Sequence, residues 1–273
     1  MRTPITYYGG KLNMVKDLLP LLDYTKKQFV SLFTGGGAVE FAKAKHDVEV
    51  WNDYDNRVMT FWEVLQTDEL YPLLEKKIKM TLHSEKYHTE AKVIMNNIQD
   101  YDKVDIAWGF WVQTNMSFSN SIGNGFAFAN DNSRNKKTTN MREAFSREFY
   151  KRAREVQLFN RDAIEMLKLK DSKDTFFFAD PPYVESDCGH YSDKNMWNEL
   201  KYTGFLDSLG SIKGSFLLTT YPSETLEYFR KKYGWESQDK KVVLSVDGRR
   251  DERKYKTECI TYNYMLQTKL DLF

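Results

Sequence analysis

The sequence predicts an α/β protein, in which a parallel sheet wound with helices is interrupted by a smaller inserted module. Three observations predict this class. Short apolar runs alternate with helical patterns at both ends of the chain, the middle of the chain lacks that alternation, and 273 residues suffice for one large domain or one and a half. Alternation of strands and helices favours parallel strands.

The first two predicted strands each precede a helix. Residues 29–33 form an apolar run that predicts a buried strand, followed by a glycine turn and a helix over 38–45. Residues 48–51 predict the second strand, and residues 56–66 predict the second helix. The order strand, helix, strand, helix is typical of a wound sheet.

The same pattern resumes after the middle of the chain. Residues 176–179 form the most apolar run in the sequence, and residues 216–219 form another. Residues 241–246 and 259–264 predict a late pair of strands. These runs have the length and composition of buried strands, so they extend the predicted sheet.

Residues 67–149 are predicted to form the inserted module. They carry helical stretches and then the segment 117–128, in which aromatic residues alternate around Gly123-Asn124-Gly125. This pattern predicts a β-hairpin, and a long surface loop is the alternative. The rest of the chain, residues 1–66 and 150–273, is predicted to form one discontinuous main domain.

Composition excludes several classes of protein. The chain has 40 Lys and Arg against 39 Asp and Glu, 41% hydrophobic residues and two cysteines. Disordered tails and disulfide frameworks are therefore excluded. No run approaches the roughly 18 apolar residues of a membrane helix, and the N-terminal residues lack the apolar core of a signal peptide. We expect a cytoplasmic protein.

Charge is uneven along the chain, although its sum is only +1. Residues 46–75 hold eight acidic residues against one basic residue, whereas residues 134–161 hold nine basic residues against three acidic ones. A basic run of this kind can bind the phosphates of a nucleic acid. A solvated helix face is the alternative.

A glycine-rich turn, Phe33-Thr34-Gly35-Gly36-Gly37, follows the first predicted strand and opens a helix. Glycines at such a turn let a ligand approach the backbone. Asp53 ends the second strand, where nucleotide-like cofactors have their ribose hydroxyls bound. A purely structural turn is the alternative. The glycine spacing of NAD sites is absent, because Glu40 stands three residues after Gly37.

A second group of residues, Asp180-Pro181-Pro182-Tyr183, follows the most apolar strand. Open α/β sheets bind ligands at the carboxyl ends of their strands. The two prolines lack N–H donors and have a fixed φ, so the turn is rigid and its carbonyl groups can accept hydrogen bonds. One carboxylate and one carbonyl oxygen match the two protons of an exocyclic amino group. Tyr183 adds a flat face on which a base can stack.

These motifs resemble those of one enzyme family. The residues Asp180 to Tyr183 look like the catalytic motif of S-adenosylmethionine-dependent amino methyltransferases, and Phe33 to Gly37 resemble their glycine-rich motif. Tyr7-Tyr8-Gly9-Gly10-Lys11 resembles the aromatic-x-Gly-Gly-Lys element of Dam-type DNA adenine methylases, the D12 class or α group. Residues 258–263 resemble the last sheet strand of that family. The resemblance covers most of the chain outside 67–149.

The resemblance implies a Rossmann-like methyltransferase sheet with an inserted helical and β-hairpin target-recognition module. It also implies transfer of a methyl group from S-adenosylmethionine to adenine N6, with S-adenosylhomocysteine as the product. The residues implied at the cofactor are Tyr7, Lys11, Phe33, Gly35, Gly37, Asp53, Asp162 and Asp180. The residues implied in catalysis are Asp180, Pro181, Pro182 and Tyr183.

The implied chemistry needs no covalent intermediate. Hydrogen bonds from the target amine to Asp180 and to the Pro181 carbonyl shift its nitrogen toward sp³, and alignment then supports direct attack on the methyl group. Tyr183 stacks on the base, which is flipped out of the duplex. Neither Cys188 nor Cys259 follows a proline, as the thiolate of a cytosine C5 enzyme typically does.

The insert is expected to bind double-stranded DNA, with the hairpin at base edges and the basic run at phosphates. The predicted DNA-binding residues are Asn115, Ser119, Asn120, Asn124, Arg134, Lys136 and Lys137. Asparagines also suit loop turns, which is the alternative. No arginine lies between Trp111 and Ser133, where other family members carry one. The target sequence GATC therefore stays open.

Other functions stay open at this point. They are methylation of cytosine N4 or of another amino group, and a catalytically silent DNA-binding relative. We expect no metal, because the histidines and cysteines show no metal-ligand spacing. The protein is expected to act as a monomer, and a cognate restriction endonuclease is a candidate partner.

Overall fold

The structure is a computed structural model that describes residues 2–183, 197–243 and 255–266. Within these ranges seven strands form one sheet with the order β3-β2-β1-β4-β5-β7-β6. The strands are β1 Gln28–Ser31, β2 Val48–Asn52, β3 Val156–Phe159, β4 Thr175–Ala179, β5 Ser215–Thr220, β6 Glu236–Val243 and β7 Tyr255–Tyr262.

The helices of the described ranges fall mostly between β2 and β3. In chain order they are α1 Val15–Leu18, α2 Ala38–Ala42, α3 Asn56–Gln66, α4 Tyr71–Lys79, α5 Glu85–Asn96, α6 Lys103–Met116, α7 Ser133–Ala144, α8 Arg147–Ala153, α9 Ala163–Lys170, α10 Glu199–Leu209 and α11 Glu224–Tyr233. None of these helices is both long enough and apolar enough to cross a membrane.

The predicted α/β class is confirmed by the strand pairing. β4 runs parallel to both β1 and β5, and β2 runs parallel to β3. β7 is antiparallel to β5 and to β6. All five residues of β4 are buried, because a central parallel strand packs on both of its faces. This explains its run of three phenylalanines.

Most strand and helix positions agree with the sequence patterns. α3 begins and ends where it was predicted, and the Asp55 side chain caps it by accepting a hydrogen bond from the Arg57 backbone N–H. The helix after the glycine turn is shorter than predicted, because Lys43 is already extended. β6 begins at Glu236, five residues before the predicted start of its strand.

β3 was missed, and its residues explain the omission. Only Val156 of the four residues Val156–Phe159 is fully buried. The strand lies inside the basic run 134–161, where charge suggests a surface helix. A short strand that pairs on one edge with β2 gains stability from that pairing rather than from an apolar run.

The predicted β-hairpin over 117–128 is not present as two strands. The segment contains a 3-10 turn at Phe118–Asn120 and a single antiparallel bridge between Ser117 and Phe126. Ser119 and Asn120 both have positive φ, at 56° and 57°, which interrupts an extended strand after one pair. The alternative, a surface loop closed by one bridge, describes the segment better.

The chain divides into two compact units. Unit 1 comprises Met1–Pro20, Thr34–Lys45 and Glu49–Arg161, and unit 2 comprises Leu21–Phe33, His46–Val48 and Asp162–Phe273. The hydrophobic core of unit 1 runs without interruption from Trp51 and Trp62 to Trp108 and Trp111 of α6. The helices of residues 67–149 therefore share a core with β2 and α3.

Candidate active site

The glycine-rich turn of unit 1 is packed against the ring of Tyr7. Gly35 and Gly37 have positive φ, at 46° and 67°. A Cβ at Gly35 would lie 3.0 Å from the Tyr7 ring, and one at Gly36 would lie 2.6 Å from the Tyr7 Cβ. Only glycine fits these two positions while Tyr7 keeps its place. Tyr7 therefore packs directly on the glycine-rich turn, and its contact with the cofactor stays a prediction.

Asp53 is fixed beside the same turn. Its carboxylate accepts hydrogen bonds from the backbone N–H of Gly35 at 2.8 Å and of Asp55 at 2.9 Å. Burial raises the pKa of Asp53 to about 7, against the opposing effect of these two N–H donors. Each oxygen of a carboxylate can accept more than one hydrogen bond, so the group can also bind hydroxyls.

Lys11 belongs to the segment that carries Tyr7. Its side chain is buried, and its Nζ donates to the Gly9 carbonyl at 3.2 Å. The backbone N–H of Gly10 donates to the Tyr7 carbonyl at 3.1 Å, which closes the turn between the two residues. The Tyr7-x-Gly-Gly-Lys11 element therefore folds as one tight unit against the glycine-rich turn.

The second set of predicted residues lies in unit 2, at the carboxyl end of β4. Asp180 directly follows β4, and its Oδ1 accepts a hydrogen bond from the Thr219 hydroxyl of β5 at 2.8 Å. Pro181 is buried, whereas Pro182 and Tyr183 are half-buried. The Asp180 carboxylate is thus held in place by a hydrogen bond from the neighbouring strand β5.

Tyr183 lies against two acidic side chains and one aromatic ring. Its hydroxyl is 3.2 Å from Oε2 of Glu258 and 3.5 Å from Oδ1 of Asp180. Its ring centroid is 4.1 Å from that of Tyr221. Burial, with the nearby charges of Asp180 and Glu258, raises the pKa of Tyr183 well above its usual value, so the hydroxyl stays protonated.

Two further residues predicted at the cofactor, Phe33 and Asp162, also belong to unit 2. The Phe33 ring meets the rings of Trp197 and Phe205 edge-on, with centroids 5.2 and 5.5 Å apart. The Asp162 carboxylate caps α9 by accepting from the Ile164 backbone N–H at 2.8 Å. Each has a structural role in the protein, and a contact with the cofactor stays a prediction for both.

The asparagines predicted to read DNA bases are tied into the protein. Asn115 is only 2% exposed, accepts from the Thr6 hydroxyl at 3.0 Å and donates to the Trp111 carbonyl at 2.8 Å. Asn124 donates to the Phe118 carbonyl at 3.1 Å, across the loop. Base contacts by Asn115 require its internal hydrogen bonds to break, whereas Ser119 is exposed.

Lys137 differs from its neighbours in the basic run. Its Nζ donates to the Asn115 carbonyl at 3.3 Å and to Oδ1 of Asn120 at 2.5 Å. Burial lowers the pKa of Lys137 to about 8. Lys136 is exposed and Arg134 is half-buried. Lys137 thus supports the loop, and Lys136 has the exposure that a phosphate contact needs.

Several other basic residues of the run form ion pairs within the protein. Arg152 is 6% exposed and donates to Glu49 at 2.7 Å. Three more pairs join Arg142 to Glu143, Lys151 to Glu148 and Arg154 to Asp68. The excess of positive charge available to a partner is therefore smaller than the sequence count suggests.

Sequence reasoning missed three residues around Asp180 and Tyr183. They are Thr219, Tyr221 and Glu258, which come from β5, the loop after it and β7. Glu258 stands 75 residues from Tyr183, so no spacing in the sequence links the two. The resemblance of residues 258–263 to a family strand was the one signal near Glu258.

The cysteines and histidines show no sign of chemistry within the described residues. Cys259 is buried, donates to Oδ1 of Asp239 at 3.1 Å, and has its pKa raised to about 12 by burial and by Asp239. Cys188 and His190 lie outside the described residues. Across the described ranges, no three metal-ligating side chains form a group. The other histidines bind protein groups: His46 the Asp23 carbonyl, His83 Thr138 and His88 Ser117.

A wound sheet with a glycine-rich turn after β1 is typical of Rossmann-like α/β proteins. A model of the D12 class N6 adenine-specific DNA methyltransferase family matches residues 7–246. The chain belongs to this family.

One curated relative is the modification methylase StsI of Streptococcus sanguinis. It is 24% identical over 244 residues, which are 80% of this chain and 35% of that protein. The chain therefore spans about a third of the length of this relative.

Two solved structures are remote likenesses. A SAM-dependent methyltransferase from Agrobacterium tumefaciens has 10% identity and a TM-score of 0.40, with 92% of this chain and 60% of that chain covered. The precorrin-6y C5,15-methyltransferase from Geobacter metallireducens has 10% identity and a TM-score of 0.37, with coverages of 92% and 86%.

Proposed function

We propose that this chain transfers a methyl group from S-adenosylmethionine to the N6 amino group of adenine in double-stranded DNA. The observation that carries the proposal is the Asp180-Pro181-Pro182-Tyr183 turn, held at the end of β4 with its carboxylate fixed by Thr219. Membership of the D12 family supports adenine as the base and DNA as the substrate. The name of the StsI relative, a modification methylase, agrees with this activity.

The residues of unit 1 fit a nucleoside cofactor. Asp53 offers a half-buried carboxylate, already oriented by two backbone N–H groups, to the ribose hydroxyls. Tyr7, Lys11, Gly35 and Gly37 form the surrounding turn. When bound, S-adenosylmethionine supplies an electrophilic methyl group on a sulfonium. The product of the reaction is S-adenosylhomocysteine.

The residues of unit 2 suit an amino-group acceptor. The target amine donates one proton to Asp180 and the other to the Pro181 carbonyl, and both bonds localise the lone pair on nitrogen. The ring of Tyr183 stacks on the flipped base, and alignment supplies the rest of the acceleration. Methylation leaves one extra proton on the amino nitrogen, and Asp180 or solvent water accepts this proton.

The insert supports DNA binding through a small number of exposed groups. Lys136 and the half-buried Arg134 lie at the start of α7, and Ser119 lies at the tip of the 117–128 loop. We assign the first two to phosphate contacts and the loop to base edges. A restriction endonuclease partner agrees with the modification methylase name of the relative.

Substitution of Asp180 tests the proposal. Asp180→Ala removes an acceptor for the target amine, so we expect methyl transfer to fall by about a hundredfold or more while DNA binding largely survives. Asp174→Ala is the matched control, because Asp174 is exposed at the other end of the same strand. The readouts are N6-methyladenine by mass spectrometry and DNA retention by gel shift.

The product of the wild-type chain decides between related functions. N4-methylcytosine in place of N6-methyladenine would replace the proposal with cytosine methylation. DNA binding without any methyl transfer would indicate a silent relative. Sequencing of modified bases in a host that expresses the chain gives the target sequence in the same experiment.

A further inference from the structure

Glu258 is a buried acidic residue beside the Asp180-Pro181-Pro182-Tyr183 turn. It is 8% exposed and lies on β7, two residues before Ile260, so both side chains lie on the same face of the sheet. Ile260 is the antiparallel partner of Thr219, which places Thr219 on that face too. The sheet thus gathers Glu258 and the Thr219 hydroxyl on the side of Asp180.

The hydroxyl of Tyr183 faces two acceptors but has one proton. Its oxygen is 3.2 Å from Glu258 Oε2 and 3.5 Å from Asp180 Oδ1. A separation of 3.5 Å is at the limit of a hydrogen bond, whereas 3.2 Å lies closer to the usual range. The raised pKa of Tyr183 keeps that proton in place. The hydroxyl therefore donates to Glu258.

The same Asp180 oxygen already accepts from Thr219 at 2.8 Å. An oxygen that also received the Tyr183 proton would be a poorer acceptor for a third donor. We propose that Glu258 is a positioning residue for amino-group methylation: it binds the Tyr183 hydroxyl and so stops this hydroxyl from competing with the target amine for Asp180. This inference rests on the proposed function.

A simpler role for Glu258 would be to hold the Tyr183 ring in place. The two roles predict different effects of removing the hydroxyl. If Glu258 only anchors the ring, Tyr183→Phe and Glu258→Ala break the same hydrogen bond and lower kcat by the same factor. The double variant then has the same kcat as either single variant. If Glu258 prevents competition, removal of the Tyr183 hydroxyl restores the kcat that Glu258→Ala loses.

The test is a double-variant cycle on the full chain. We expect Glu258→Ala to lower kcat about tenfold, which corresponds to one hydrogen bond of ordinary strength. Glu258→Ala combined with Tyr183→Phe should recover the kcat of Tyr183→Phe alone. Glu258→Gln keeps a carbonyl acceptor for the phenol proton and should stay within about threefold of wild type.

Three quantities are measured for each variant: kcat, thermal unfolding and S-adenosylhomocysteine binding. A double variant no faster than Glu258→Ala overturns the inference, as does a Glu258→Ala variant with wild-type kcat. Glu258→Leu, which fills similar space without an acceptor, repeats the cycle if Glu258→Ala does not fold.

The wild-type assay separates failure of this inference from failure of the proposed function. If the wild-type chain methylates neither adenine nor another amino group, the proposed function fails first. If it methylates an amino group but removal of the hydroxyl gives no recovery, only the role of Glu258 is wrong.

Discussion

The Asp53 carboxylate is a residue on which burial and hydrogen bonding act in opposite directions. Burial favours the protonated form, and the N–H groups of Asp55 and Gly35 favour the charged form. The balance places the pKa of Asp53 at about 7. Its charge is therefore adjustable by modest changes in pH.

Cofactor binding should depend on pH through Asp53. The charged carboxylate is the better acceptor for ribose hydroxyls, and its fraction rises from roughly one tenth at pH 6 to nine tenths at pH 8. We therefore expect S-adenosylmethionine to bind about tenfold more tightly at pH 8 than at pH 6, measured by titration calorimetry. Asp53→Asn should bind more weakly and show no such slope. Equal affinity of the wild-type chain at both pH values would contradict the assignment.

Two adjacent lysines on α7 have different environments. Lys136 is exposed to solvent, whereas Lys137 turns inward and binds the Asn115 carbonyl and the Asn120 side chain. Asn115 in turn bonds Thr6, the residue before Tyr7. The 117–128 loop is thus connected through Lys137 and Asn115 to the segment that packs on the glycine turn.

The salt dependence of DNA binding should distinguish the role of Lys136 from that of Lys137. Lys136→Ala removes one phosphate contact, so the slope of log affinity against log salt should decrease in magnitude by about 0.9. Lys137→Ala should leave the slope unchanged and reduce the preference for specific over random DNA, because it loosens the loop. Fluorescence anisotropy from 50 to about 200 mM salt measures both quantities.

An exposed lysine outside the insert serves as the control for this comparison. Lys231 of α11 has a side chain that is 77% exposed, and Lys231→Ala should not alter the slope. If Lys136→Ala behaves like Lys231→Ala, the start of α7 is a solvated surface rather than a phosphate site.

At the scale of elements, the sequence predicts what depends on local patterns. α3 was predicted to the residue, and the structure shows that its first residue is fixed by a local contact, the Asp55 cap. β3 escaped detection because its partner β2 lies about a hundred residues away, and pairing rather than composition stabilises it. The contact of Tyr183 with Glu258 was equally invisible, since it depends on the order of β5 and β7 in the sheet.

At the scale of the whole molecule, the insert is part of the core of unit 1. α3 packs against α6, and the Phe61 ring centroid lies 5.6 Å from that of Phe110. The Tyr7 ring centroid is 6.0 Å from that of the same Phe110. The helices of residues 67–149 and the segment that carries Tyr7 thus depend on one set of buried aromatic side chains. The role of residues 67–149 in DNA recognition stays a prediction.

Removal of residues 67–149 should leave a chain that does not fold. The deletion exposes Phe61, Val64 and Leu65, which are fully buried in the intact chain. Each such side chain contributes about 1.5–3 kcal/mol, so their exposure consumes much of a total stability of about 5–15 kcal/mol. Circular dichroism during heating should show no cooperative transition for the deleted chain joined by a glycine-serine linker. A sharp transition near that of the intact chain would show an independent main domain.

The contact between Tyr7 and the glycine turn has a consequence for evolution. Because a Cβ at residue 35 or 36 would meet the Tyr7 side chain, the two stretches cannot vary independently. A small residue at position 7 would leave room for alanine at position 36, whereas the positive φ of Gly35 disfavours alanine there in any case. Covariation between positions 7 and 36 would therefore reflect internal packing rather than contact with a ligand.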